Sequence, residues 1–127
     1  MSFYGLLAVG AGAAVGAWLR WWFGIMWNPA FPTLPLGTLA ANLVGGYLMG
    51  LAVSIFADHP GLPPEARLLL ATGFLGGLTT FSTFSAETVT LLLRAQYAWG
   101  AAIIMTHVAG SLAMTVLGIW TVKLIRG

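Results

Sequence analysis

Gly73-Phe74-Leu75-Gly76-Gly77-Leu78-Thr79-Thr80-Phe81-Ser82-Thr83-Phe84-Ser85 sets paired glycines, a cluster of hydroxyls and two phenylalanines in the middle of an apolar run long enough to cross a bilayer. A helix carrying this stretch is predicted to break at Gly76-Gly77. Irregular backbone at bilayer depth leaves N–H and C=O groups without partners, so it persists only when buried in protein or lining a wet cavity. The break also has a polarity. The first half-helix is expected to end near Gly76 with free carbonyls, which suit a cation, and the second to begin near Thr80 with free N–H groups, which suit an anion.

The rest of the chain supplies the same solvent. Of 127 residues, 59% are hydrophobic and only 6% are charged, and apolar stretches recur near the ~20 residues that span a bilayer as a helix. Hydrophobic runs and turn punctuation predict an all-α integral membrane protein, a single four-helix domain over residues 1–127. The helices are placed from Phe3 to Met26, Leu36 to Phe56, Glu65 to Leu93 and Trp99 to Ile125. Asn28-Pro29 with Pro32 and Pro35, then His59-Pro60-Gly61 with Pro63-Pro64, then Arg94-Ala95-Gln96-Tyr97 form the connections. Trp21, Trp22, Trp27, Tyr97 and Trp99 sit near the predicted interfaces, as an aromatic belt would. Zero cysteines exclude thiol chemistry and cysteine-ligated metals, and the net charge of +2 carries no argument for nucleic acid. A cleavable signal peptide is not expected, since the N-terminus lacks a charged n-region and enters a full-length apolar segment.

Four crossings put both termini on one side. That side carries Arg67, Lys123 and Arg126, against Arg20 and Arg94 on the other, a bias of three to two. Such a chain could insert both ways, so an antiparallel, dual-topology homodimer is expected. Gly12-xxx-Gly16, Gly46-xxx-Gly50 and Gly73-xxx-Gly77 are small-residue spacings that let helix backbones approach closely in lipid. Plain packing accounts for most of these glycines. They also support an oligomer, because four helices can hardly surround a broken third helix and enclose a conduit as well.

Polar residues inside the spans are costly to bury without partners. Asn42 lies mid-helix, one turn from Thr38 and one from Gly46. Its amide is either interhelical glue or a pair of N–H donors that replace water around an anion. Phe81 and Phe84, three apart, are core or lipid-facing residues, or rings whose positive edges attract a small anion. Thr79, Thr80, Ser82 and Thr83 add hydroxyls that can also back-bond to preceding carbonyls. His107, Ser111 and Thr115 follow i, i+4, i+8 and make a polar stripe on the fourth helix. Glu87, one turn beyond Thr83, is the only acid in the interior of the spans, a candidate for proton coupling or for bonding to that stripe. Arg20 is an interface anchor or a funnel for anions. No nucleophile, base and orienter stand at usable spacing for an enzyme.

Gly12-Ala-Ala-Val-Gly16-Ala-Trp-Leu-Arg20, Gly37-Thr38-Leu39-Ala-Ala-Asn42-Leu-Val-Gly45 and Gly73-xx-Gly76-Gly77-x-Thr79-Thr80-Phe81-Ser82-Thr83-Phe84 together resemble the Fluc family of small bacterial fluoride channels. Ala13 and Trp21 depart from the family's usual Gly and Tyr, which blurs the first block only. The resemblance implies a passive fluoride channel in the bacterial inner membrane, an antiparallel homodimer with two pathways built from both subunits. It implies that Asn42, Phe81 and Phe84 contact fluoride, that Ser111 and Thr115 form a polar track, and that Glu87 and Thr83 sit beside it, with Ser82 on the same path. It further implies that the carbonyls of Gly76 and Thr79 hold a central structural sodium ion, with no organic cofactor, and that Arg20 lies near an aqueous vestibule. It assigns no role to His107. The competing reading is a proton-coupled small multidrug-type transporter using Glu87; that group relies on an acid in its first helix, where this chain has none. A structural subunit of a larger complex would leave the polar stripe unexplained.

Overall fold

Ser2 starts the first helix: its Oγ accepts from the Gly5 N–H at 2.9 Å, pairing a donor that a helix start leaves open. The computed structural model describes residues 1–127. Helix α1 spans Phe3–Trp27 and passes into a single 3₁₀ turn, Asn28–Ala30. Helix α2, Leu36–Asp58, begins after Pro35, which offers no side-chain cap. Asn28 supplies one from the end of α1, its Oδ1 accepting from the Thr38 N–H at 3.0 Å.

The third span has three parts before it is interrupted. Residues 64–78 form α3: a helical turn at Pro64–Arg67, a π-helical stretch at Leu68–Leu75 and another turn at Gly76–Leu78. Thr79 (φ −86°, ψ 157°) and Thr80 (φ −149°, ψ 120°) are extended, and helix α4 then runs over Phe81–Leu93. The expected break at Gly76-Gly77 does not fall there. Both glycines are helical, and the extended residues come three positions later.

A tight turn leads to the last helix, α5, Tyr97–Arg126. The Gln96 N–H reaches Leu91 O at 2.9 Å and the Ala95 N–H reaches Leu92 O at 3.0 Å, the paired bonds of a Schellman cap. Ala95 takes the left-handed position (φ 59°) that glycine usually fills. Four helical stretches are long and apolar enough to cross a membrane, with no strand among them.

Two seams hold the helices together. α1 lies on α3 and α2 lies on α5. At Gly16 a Cβ would run into the carbonyl oxygen of Phe74, and at Gly50 into that of Thr115. Gly73 and Gly77 face the backbone of α1 in the same way, and Gly46 faces Ser111. The small-residue spacings are therefore used inside one chain, and they lend the expected oligomer no support. Tyr47 Oη donates to Thr121 Oγ1 at 2.9 Å across the second seam, and Asp58 pairs with Arg126 at its end. Buried apolar side chains form two small groups, Ala41, Leu75 and Leu78 near the interruption and Leu34, Phe84, Leu91 and Ile103 beyond it.

Candidate functional site

An interruption within a membrane span opens backbone groups that have to be paired again. On the α3 side, Leu75 O takes both the Thr79 N–H at 3.0 Å and the Thr79 hydroxyl at 2.8 Å. Gly77 O takes Arg20 Nε at 3.0 Å. On the α4 side, Thr80 is the N-cap, its Oγ1 accepting from the Thr83 N–H at 3.1 Å. Asn42 holds the backbone of Thr80 at both ends: Oδ1 accepts from the Thr80 N–H at 2.8 Å and Nδ2 donates to Thr80 O at 3.0 Å. The carbonyls of Gly76, Leu78 and Thr79 accept from no side chain and from no turn or cap N–H.

Beside this junction lies a cleft of about 390 Å³. It brings together Asn42, Phe81, Phe84, Ser111 and Thr115, residues drawn from α2, α4 and α5, and with them His107. The two phenyl rings meet edge to face, centroids 5.4 Å apart at 68°. Their surroundings differ: Phe84 is 8% exposed and stacks on the His107 ring at 4.8 Å, while Phe81 is 77% exposed. The hydrogen-bond donors also differ. Thr115 Oγ1 gives its hydrogen to backbone carbonyls, Gly46 O and Ser111 O each at 3.0 Å, whereas the Ser111 hydroxyl has no partner. Asn42 Nδ2 also reaches His107 Nδ1 at 3.0 Å, and His107 Nε2 is buried with nothing to bond.

Within one chain Glu87 and Thr83 do not line the cleft that holds the stripe on α5. They line a separate cleft of about 310 Å³ with Thr90 and Arg94. The Glu87 carboxylate accepts from Thr38 Oγ1 at 2.7 Å through Oε2, while Oε1 is buried without a partner. Glu87 therefore bonds to α2 and not to the stripe. Ser82 is exposed, its Oγ 3.3 Å from Thr80 Oγ1, and it lines none of the three clefts that hold the other candidates. Arg20 is neither at a helix end nor wholly free. It sits inside α1, bonds to Gly77 O, and lines a third cleft of about 280 Å³ with Asn28, Thr38, Thr80 and Thr83.

Three residues gain roles that sequence reasoning did not give them. His107, left without a role, sits between Asn42 and Phe84; its place in the i, i+4, i+8 stripe was the available signal. Thr38 and Asn28 form a chain leading to Glu87, Asn28 Nδ2 donating to Thr38 Oγ1 at 3.4 Å. Only the position of Thr38 one turn before Asn42 hinted at this.

The family model described as CrcB-like protein, Camphor Resistance (CrcB), matches residues 7–119. A protein named fluoride-specific ion channel FluC from Nitrosospira multiformis is 72% identical over 123 residues, covering 97% of this chain and 96% of that one. Proteins of the same name from Cupriavidus taiwanensis and Thiobacillus denitrificans are each 60% identical, over 121 and 120 residues, which is 95% and 94% of this chain and 96% and 97% of theirs.

Proposed function

Because the chain belongs to the CrcB-like family, we propose that it is a passive, fluoride-selective channel of the bacterial inner membrane. It works as an antiparallel homodimer with two pathways, each built from both copies, and lets fluoride leave down its electrochemical gradient. The observation that carries this reading is the cleft where Phe81, Phe84, Ser111 and His107 converge beside Asn42 and the interrupted span. Fluoride holds its water strongly, so a conducting path must replace that shell yet release the ion. The unpartnered Ser111 hydroxyl and the imidazole supply donors, and phenyl edges attract an anion without trapping it.

The remaining candidates take places along the same route. Arg20 draws anions toward the vestibule through the cleft it shares with Thr80 and Thr83, Thr83 and Glu87 border the path in the next cleft, and Ser82 joins it only through its contact with Thr80 Oγ1. The near balance of basic residues between the two sides supports insertion in both orientations. Unpaired carbonyls are the donor chemistry that a hard cation takes, and Gly76 and Thr79 both carry one. They would hold a sodium ion between two copies, and that ion would balance the carbonyl dipoles at the junction. A proton-coupled transporter is not favoured, since the Glu87 carboxylate is bonded to Thr38 in a different cleft from the stripe.

Liposomes containing the protein and loaded with potassium fluoride test the reading, followed with a fluoride electrode and paired with chloride-loaded liposomes. Fluoride release that starts on adding a potassium ionophore, with chloride retained, is expected. No fluoride release, or equal release of chloride, would contradict it.

A further inference from the structure

The contact between Asn42, Thr80 and His107 decides more than where the helix reopens. A backbone N–H can only donate, so the Asn42 atom 2.8 Å from Thr80 N is the amide oxygen, and a flipped amide is excluded. The amide nitrogen is then the atom 3.0 Å from Thr80 O and 3.0 Å from His107 Nδ1. It has two hydrogens and accepts nothing, so both are committed. His107 Nδ1 must accept, and the neutral ring therefore carries its hydrogen on Nε2. That nitrogen is buried without a partner in a side chain only 4% exposed.

We infer that Asn42 is a positioning residue: its amide ties down the backbone of Thr80 and locks His107 as the Nε2–H tautomer, so that a residue lining the cleft keeps a buried, unpartnered N–H. The stacked Phe84 ring, 34° from the imidazole plane, limits how far the histidine can turn away. A buried donor with no partner is costly, and an anion that came within reach of it would relieve that cost while it stayed. The anion's identity rests on the channel reading; the lock itself does not.

The chain has two histidines, so His59→Gln leaves His107 as the only imidazole. His59 is exposed, and Arg67 bonds to its carbonyl oxygen, which the substitution keeps. Nitrogen NMR of this full-length protein labelled at the imidazole ring, at a pH where the ring is neutral, reads the tautomer directly. The expected spectrum shows Nδ1 bare and Nε2 protonated; a protonated Nδ1 would overturn the inference. Adding Asn42→Asp removes both hydrogens from the partner, so the ring must donate from Nδ1 to the carboxylate, and Nδ1 is expected to become protonated. A spectrum unchanged by Asn42→Asp would also overturn the lock, because a merely structural role for Asn42 does not dictate where the ring carries its hydrogen. Should Asn42→Asp yield no folded protein, the parent spectrum decides alone. Conduction is not part of this readout. Absent fluoride release with a bare Nδ1 counts against the channel, and normal release with a protonated Nδ1 counts against the lock.

Discussion

Along α1 and α3 the helices meet through what has been removed, while around Asn42 they meet through what has been added. At Gly12 and Gly16 a Cβ would strike carbonyl oxygens of Leu69 and Phe74, and at Gly77 one would strike that of Ala13, so two backbones touch with no side chain between them. Around Asn42 the backbone beyond α3 has opened at Thr79 and Thr80, and an amide and hydroxyls fill in for the missing helical partners, with an imidazole bonded to the amide. In lipid the apolar surface of a helix has no drive to leave its surroundings, so close contact and polar pairing are the available means of association. The α1–α3 seam, like the α2–α5 seam at Gly50 and Gly118, uses close contact for rigidity. The junction around Asn42 uses polar pairing, and because pairing can be left incomplete, it is where donors remain for a ligand.

Changes to each seam should therefore fail in different ways. The largest effect is expected from Gly16→Val, which forces a branched side chain into the carbonyl of Phe74 and costs about 3 kcal/mol or more; thermal unfolding in detergent should find little folded protein. Asn42→Leu keeps the volume but strands the Thr80 N–H and C=O, a loss of about 2–4 kcal/mol, visible as a lower melting temperature together with lost fluoride release. Phe84→Ile removes a buried ring stacked on His107 and should cost about 1–2 kcal/mol, with fluoride release greatly slowed. Tyr47→Phe deletes one interhelical bond to Thr121, a loss of about 0.6 kcal/mol, with fluoride release unchanged. If Gly16→Val were tolerated, or if Tyr47→Phe stopped release, the contrast between close contact and polar pairing would collapse.

The four spans were legible because long apolar runs bounded by proline and glycine leave few alternatives in so short a chain. Starts matched at Phe3 and Leu36, while α2 ran on to Asp58 and α5 began at Tyr97. The second half-helix begins at the expected Thr80, but the end of the first was placed too early, for a physical reason. Adjacent glycines suggest a breaker, yet Gly77 is glycine so that α1 can approach, and it stays helical. Thr79 and Thr80 leave the helix where Asn42, 38 residues away, supplies replacement partners, and no local pattern records that. Polarity and helical spacing picked out Asn42, Phe81, Phe84, Ser111 and Thr115 singly and left their roles open; that they belong together was implied only by the family resemblance. The bond from Thr38 to Glu87 was not, since it depends on how α2 and α4 pack. The small-residue spacings were legible as plain close packing, which is how the chain uses them.

Phe81 offers the most direct test that this cleft carries fluoride, because its ring is 77% exposed and its loss should barely affect folding. Fluoride release from liposomes, with the potassium ionophore present, should be compared between the unaltered protein and Phe81→Ile at equal protein content and equal melting temperature. Release slowed at least tenfold, with the protein otherwise intact, is the predicted result. Release at the unaltered rate would contradict the account and send the ion elsewhere.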